Sequence, residues 1–106
     1  MTARLPARLE VSALVRSVEA AGGFAMVLAR GEPDAGTIMV ITHCGGKDFK
    51  AFERMPQADG TRGWQCARQA ADARDEEFQG WIDRRRARDP DLWIVELDIA
   101  DAERFI

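Results

Sequence analysis

The sequence holds few of the residues that chemistry most often uses. In 106 residues there is one histidine, His43, two cysteines, Cys44 and Cys66, two serines, Ser12 and Ser17, and two lysines, Lys47 and Lys50. The cysteines lack a C-x-x-C spacing, and zinc sites usually draw four ligands from tight sequence pairs, so no metal and no cofactor is expected. Both serines fall in a stretch that reads as helix, away from His43, which leaves no nucleophile–base pair and no catalytic residue to assign. Gly22-Gly23 and Gly45-Gly46 are bare pairs, unlike a phosphate-binding loop. The longest strongly apolar run, TIMVIT at 37–42, falls far short of the ~20 residues that span a bilayer. The start, MTARLPARLEV, lacks the continuous apolar core of a signal peptide. A cytoplasmic protein with no membrane partner is expected. There is no repeat and no linker-like tract, so residues 1–106 read as a single domain.

What is present describes an ordinary globular chain: 46% hydrophobic, 31% charged, with a net charge of −3. That balance offers no general attraction for nucleic acid or anionic membrane. Of 15 basic residues, 13 are arginine, and the densest run is DRRRARD at 83–89. Asp72, Asp75, Glu76 and Glu77 stand before it and Arg84, Arg85, Arg86 and Arg88 within it. This arrangement offsets a helix dipole and favours a solvated helix face over a nucleic-acid or anion site.

Periodicity supplies the elements. Leu9, Val11, Leu14, Val15 and Val18 recur at helical spacing, so about 6–21 reads as a helix, opened by Pro6 and closed by Gly22-Gly23. Strands are read at 24–30, 37–43, 48–55 and 63–67, and turns at 31–36, Gly45-Gly46 and 56–62. A second helix is expected over about 70–88 with Phe78, Trp81 and Ile82 on one side, ended by Asp89-Pro90. A fifth strand at 92–99 places Trp93, Val95, Leu97 and Ile99 on one face, with Glu96 and Asp98 opposite. A C-terminal helical turn is tied down by Phe105 and Ile106. The predicted fold is α+β: a mainly antiparallel, four- to five-stranded meander sheet with two long helices and a short C-terminal helical turn, in the order α-β-β-β-β-α-β-α.

Pro33-Asp34 followed by Asp48-Phe49-Lys50 is spelled like a metal-dependent nuclease site. Pairing about Gly45-Gly46 gives residue numbers that sum to about 91, so Thr42 faces Phe49, Val40 faces Ala51 and Asp48 lies opposite His43. Asp48 is then nine positions along the strand from Asp34, on the order of 30 Å away, which one metal ion does not bridge. The two stretches read as turns. Cys44 and Cys66, on strands separated by a third, read as reduced, partly buried thiols.

The same pairing puts Phe24, Met26, Leu28, Met39, Ile41 and Phe52 on one face and Ala25, Val27, Ile38, Val40, Phe49 and Ala51 on the other. Two apolar faces need cover, from the long helices on one side and the terminal segment or a second subunit on the other. A homodimer or a protein partner is therefore expected in preference to a monomer. In a meander, the 31–36 turn and the 56–62 loop fall at the same end of the sheet, with Arg54 opposite Thr37 and Met55 opposite Gly36. Asp34, Glu53, Arg54, Asp59 and Arg62 gather there, together with Arg30 and Glu32, and form the candidate binding site, with Arg54 and Asp34 at its centre. The function expected is that of a non-enzymatic binding or regulatory module, its small-molecule ligand unspecified. The alternatives are a small enzyme with a polar site at the 31–36/56–62 end, and a nucleic-acid-associated protein using 84–88.

Beyond its elements, the chain resembles a known family. The blocks DAGTI, ERMPQ.DGTR.W and DPDLW..ELD, within a likeness covering nearly the full length, are similar to the domain-of-unknown-function family numbered 1491, a group of short alphaproteobacterial proteins. The resemblance implies a bacterial cytoplasmic protein of about this size and carries no activity, cofactor or site residue with it.

Overall fold

The first helix starts where a proline fits. In the computed structural model, which describes residues 5–56, 58–60 and 62–106, Pro6 stands before α1 (Ala7–Ala20) with φ −53°. A first-turn proline removes only an amide that has no helical partner. Gly22, at φ +90°, takes the left-handed conformation that ends the helix cleanly. The chain then runs through β1 (Phe24–Ala29), β2 (Ile38–Cys44), β3 (Lys47–Pro56), β4 (Arg62–Asp72), α2 (Glu76–Arg88), β5 (Trp93–Asp98) and a short 3-10 helix (Ala102–Phe105). The order of elements is the expected one, and the α+β class holds.

The sheet is not a meander. Its strand order is β1-β5-β2-β3-β4, with β5 inserted between the first two strands, antiparallel to β1 and parallel to β2. The sheet is therefore mixed. Burial explains the insertion: Trp93, Ile94, Val95 and Leu97 are all buried, which requires neighbours on both edges and cover on both faces. The connection from β1 to β2 consequently passes over the entrance of β5. There the Glu32 amide donates to the Asp91 carbonyl at 3.0 Å, and the Trp93 indole Nε1–H donates to the Glu32 carbonyl at 2.7 Å. A Cβ on Gly31 or Gly36 would strike the Asp91 carbonyl oxygen, so the close crossing needs glycine at both positions.

The β2–β3 hairpin carries a second correction. Thr42 pairs with Lys50, Ile41 with Ala51 and Val40 with Phe52, one residue away from a register summing to 91. The register shifts between Thr42 and Cys44, where Asp48 and Phe49 together oppose His43. Asp48 has φ +58°. This is a β-bulge with its extra residue left-handed, a conformation aspartate tolerates better than most residues. A one-residue shift turns every side chain of a strand over. Phe49 and Ala51 therefore join Met39 and Ile41, while Phe52 lies with Val40 on the other face.

β4 is longer than expected and runs to Asp72, because Ala70 pairs with Phe49 and is buried in the ladder. α2 begins only at Glu76, where the Asp75 carboxylate accepts from the Phe78 amide at 2.9 Å as an N-cap.

The helices take opposite faces rather than sharing one. α1 and the C-terminal residues cover Ile38, Val40, Trp93, Val95 and Leu97, with Phe105 and Ile106 packed against that cluster. α2 covers Met39, Ile41, Phe49, Ala51 and Ile94 through Phe78 and Ile82. Each face has a helix of its own, and the terminal segment adds its cover on the α1 side. Among the described residues, no helix is long and apolar enough to cross a membrane.

Candidate functional site

The shifted register decides where the candidate residues point. Glu53 pairs with Met39 and so faces α2, where its carboxylate meets the Arg85 guanidinium in a half-buried ion pair. Arg54, one residue on, faces α1. The same register places it beside Ile38, where an unbulged hairpin would have set it against Thr37. Its guanidinium pairs with Glu10 of α1 and lies 4.6 Å from the ring centroid of Trp64, its cross-strand neighbour on β4. Glu53 and Arg54 therefore serve opposite sides of the sheet.

Asp34 belongs to a third arrangement. In the 33–35 turn it accepts from Arg8 at 2.5 Å across the exposed start of α1. Glu32 holds that turn by accepting from the amides of Asp34, at 2.9 Å, and Ala35. Arg8 and Glu10 are two helical positions apart, about 200° around the axis, so Asp34 and Arg54 are engaged from different sides of one helical turn. Arg30 lies 5.6 Å from the Trp93 ring centroid. Asp59 is exposed in the loop at 58–60. Arg62 opens β4 opposite Pro56, and its side chain lies outside the described residues. The 31–36 connection and the paired strand ends at Pro56 and Arg62 lie at one end of the sheet, but the entrance of β5 comes between β1 and β2 there.

Arg54 is the residue on which the local geometry converges. It lines a cleft of about 340 Å³ with Val11, Leu14, Ile38, Trp64, Phe105 and Ile106, in which Glu10 is the other charged group. It also borders a more polar cleft of about 280 Å³ with Thr37, Glu53, Arg85 and Asp89. There the Thr37 hydroxyl donates to Asp89 Oδ2 at 3.3 Å. Clefts of this kind, apolar walls around a few convergent polar groups, are where small ligands bind. Glu10, Trp64 and the C-terminal residues were not legible as site residues. The signal for Trp64 was present in the loop: pairing Pro56 with Arg62 leads directly to Arg54 against Trp64.

At the far end of the sheet, His43 is enclosed. Its side chain is only 9% exposed, and the ring stacks on Phe49 at 4.4 Å between centroids. The Gly46 amide donates to Nδ1 at 3.0 Å, so a neutral ring holds its proton on Nε2, 3.5 Å from the Glu96 carboxylate. Nε2 is buried without a hydrogen-bond partner among the described residues. Cys44 and Cys66 are both exposed, contrary to the expectation of partial burial. Edge position explains this for Cys66, on the outer strand β4, and the hairpin tip for Cys44.

No curated protein matches the chain. The similar solved structures cover it almost completely. A crystal structure of a DUF1491 family protein from Caulobacter crescentus CB15 is 27% identical over 97% of this chain and 95% of that one, with a TM-score of 0.82. A solution structure of protein Atu0922 from A. tumefaciens is 30% identical over 98% and 93%, with a TM-score of 0.77. The family model described as "Protein of unknown function (DUF1491)" matches residues 5–106. This chain belongs to the DUF1491 family.

Proposed function

We propose that the protein is a cytoplasmic, non-enzymatic binding module, and that its ligand sits in the cleft between α1 and the β3–β4 strands with Arg54 as the charged anchor. One observation carries this reading: the Arg54 guanidinium lies over the Trp64 ring, 4.6 Å from its centroid, and lines a cleft whose walls are mostly apolar. A guanidinium held by an aromatic ring and a carboxylate keeps its planar fork in one orientation, and that fork suits a carboxylate or phosphate. The ligand class is accordingly a small molecule or peptide end with an apolar body and an anionic head. The lone imidazole lies at the opposite end of the sheet, which favours binding over catalysis.

A melting-shift screen of anionic amphipathic metabolites tests this, because a ligand of the native state raises its stability. The expected result is a ligand that stabilises the wild type, with the shift lost in Arg54→Lys, which keeps the charge and loses the fork, and in Trp64→Leu. A shift that survives both changes but disappears in Arg85→Ala would move the site to the polar cleft. Retention in Arg54→Lys, Trp64→Leu and Arg85→Ala alike would overturn this placement.

A further inference from the structure

The two edges of the sheet are built differently. β4 presents Gln65, Arg68 and Gln69 along one edge, all exposed, and its ladder with β3 is interrupted between Ala51 and Phe52. Charge, polarity and a bulge are the common protections of a free strand edge. β1, at the other edge, is FAMVLA, six residues with no polar side chain. It pairs with β5 alone, in unbroken register from Phe24 to Val27, with a shift only between Val27 and Ala29 at the strand's end. The edges therefore differ in the polarity of their side chains rather than in having a bulge.

Exposed apolar surface is concentrated beside this second edge. Among the described residues six large hydrophobics remain exposed. Three are on β1 itself, Phe24 (74%), Met26 (60%) and Leu28 (37%), and a fourth, Leu9 (47%), lines the groove between α1 and β1. Val15 and Val27 line the same groove. Ala25 and Val27 pack toward α1, so Phe24 and Met26 emerge on the opposite face, where α2 does not reach them. Apolar surface therefore flanks the unpaired strand on both sides of the sheet.

We infer that β1 is the interface of a homodimer, in which two copies of the strand pair antiparallel about a two-fold axis and join the sheets into one of ten strands. A second copy is the occupant that satisfies every part of this surface. An axis near Met26 sets Phe24 against the partner's Leu28 and Met26 against its own counterpart, so the apolar strip meets itself. α1 packs over β1 and β5. With strands about 4.8 Å apart, a helix centred over that pair lies about 5 Å from the axis. Its copy is then about 10 Å away, close to the separation at which helices pack. The Leu9–Val15 groove is thus filled by the corresponding flank of the other α1. An extended peptide from another protein would cover the strand but leave that groove open.

The contact is also closed. β4 offers β1 a run of polar side chains, so an open β1-to-β4 chain of subunits is disfavoured and association stops at two. Burying the four side chains, the strand edge and the α1 flank removes roughly 600–800 Å² per copy, near the size of a specific interface.

Sedimentation equilibrium across a concentration series into the high micromolar range tests the inference. The wild type is expected to approach twice its 11.8 kDa monomer mass. Met26→Lys places two like charges across the axis and should weaken association by roughly a hundredfold or more. Met26 is exposed, so the variant should keep its circular dichroism spectrum and melting temperature. Gln69→Lys, on the opposite edge, should associate like the wild type. A wild type that stays monomeric throughout, or a folded Met26→Lys that dimerises as well as the wild type, overturns the inference. So does loss of the dimer in Gln69→Lys with Met26→Lys unaffected.

Discussion

Under α1, β5 presents Trp93, Val95 and Leu97, and the chain's last residues, Phe105 and Ile106, extend the cover beyond the helix. Under α2, β5 presents only Ile94 before Glu96 and Asp98 emerge beside His43, outside the apolar cluster that Phe78 and Ile82 complete. One face is closed by a helix and a terminal segment together, and the other by a single helix that stops short. The contrast teaches that an apparently half-polar strand can be central. The polar positions of β5 are not a solvent-facing stripe along its length; they mark where one covering layer ends. It also predicts which residues the two faces can spare.

The largest effect should come from the face with a single cover. Phe78→Ala removes a fully buried ring that meets Phe49 edge-on at 6.0 Å, and is expected to destabilise the fold by about 3–5 kcal/mol in urea unfolding. Phe105→Ala, half-buried on the face with two covers, should give less than half that loss. Equal losses would remove the distinction between the faces.

Next come the ion pairs. Arg85→Ala leaves Glu53 half-buried without its partner beneath α2, and about 1–2 kcal/mol should be lost. Arg8→Ala breaks the exposed pair with Asp34 on the α1 side and should cost about 0–1 kcal/mol. A double-mutant cycle on each pair separates the interaction from the loss of either side chain alone.

The bulge that decides which face β3 shows to each helix is tested at Asp48. Asp48→Val forces a β-branched residue to φ +58° and should destabilise by about 1–2 kcal/mol. Asp48→Gly should be neutral or slightly stabilising. Similar melting temperatures for the two variants would mean that the left-handed residue does not set the register.

The smallest effect is expected at Lys50, whose ammonium donates to Glu103 at 3.0 Å beside the terminal 3-10 helix. That hydrogen bond, and then the carboxylate's charge, raises the lysine above its ordinary value of 10.5. A raised lysine contributes its stability below that ordinary value and loses it as the pH rises through the raised one. The pair is solvated, so Lys50→Ala should match the wild type at neutral pH in physiological salt. Any difference at low salt should vanish on alkaline titration. A difference that grows with pH would contradict this assignment.

Much of this architecture was legible where local chemistry decides it. Pro6 and Gly22 bound α1, Asp89-Pro90 ends α2, and the alternation of β5 sorted Trp93, Val95 and Leu97 from Glu96 and Asp98. What escaped was set by partners distant in sequence. Nothing local to residues 93–98 states that they pair with both residues 24–29 and residues 38–43. A single left-handed aspartate altered the hairpin arithmetic by one, enough to turn Phe52 and Arg54 toward α1 and Phe49 and Glu53 toward α2. The candidate site suffered the same way. Its residues were at the expected end of the sheet, yet parity divided them among Glu10, Arg8 and Arg85, partners that no short-range pattern names.

The insertion of β5 also fixes the order in which the chain can be completed. During synthesis β1 emerges early and has no strand to pair with, because its neighbour is made about seventy residues later. β2, β3 and β4 are successive antiparallel neighbours and can zip together as they appear, whereas the join between β1 and β2 waits for the last strand. Closing such a distant contact is slow and leaves apolar strands open to wrong partners meanwhile. The nascent protein therefore carries FAMVLA and one side of TIMVIT exposed until residues 93–98 have left the ribosome. Its dependence on chaperones should be greatest for chains stalled just before Trp93.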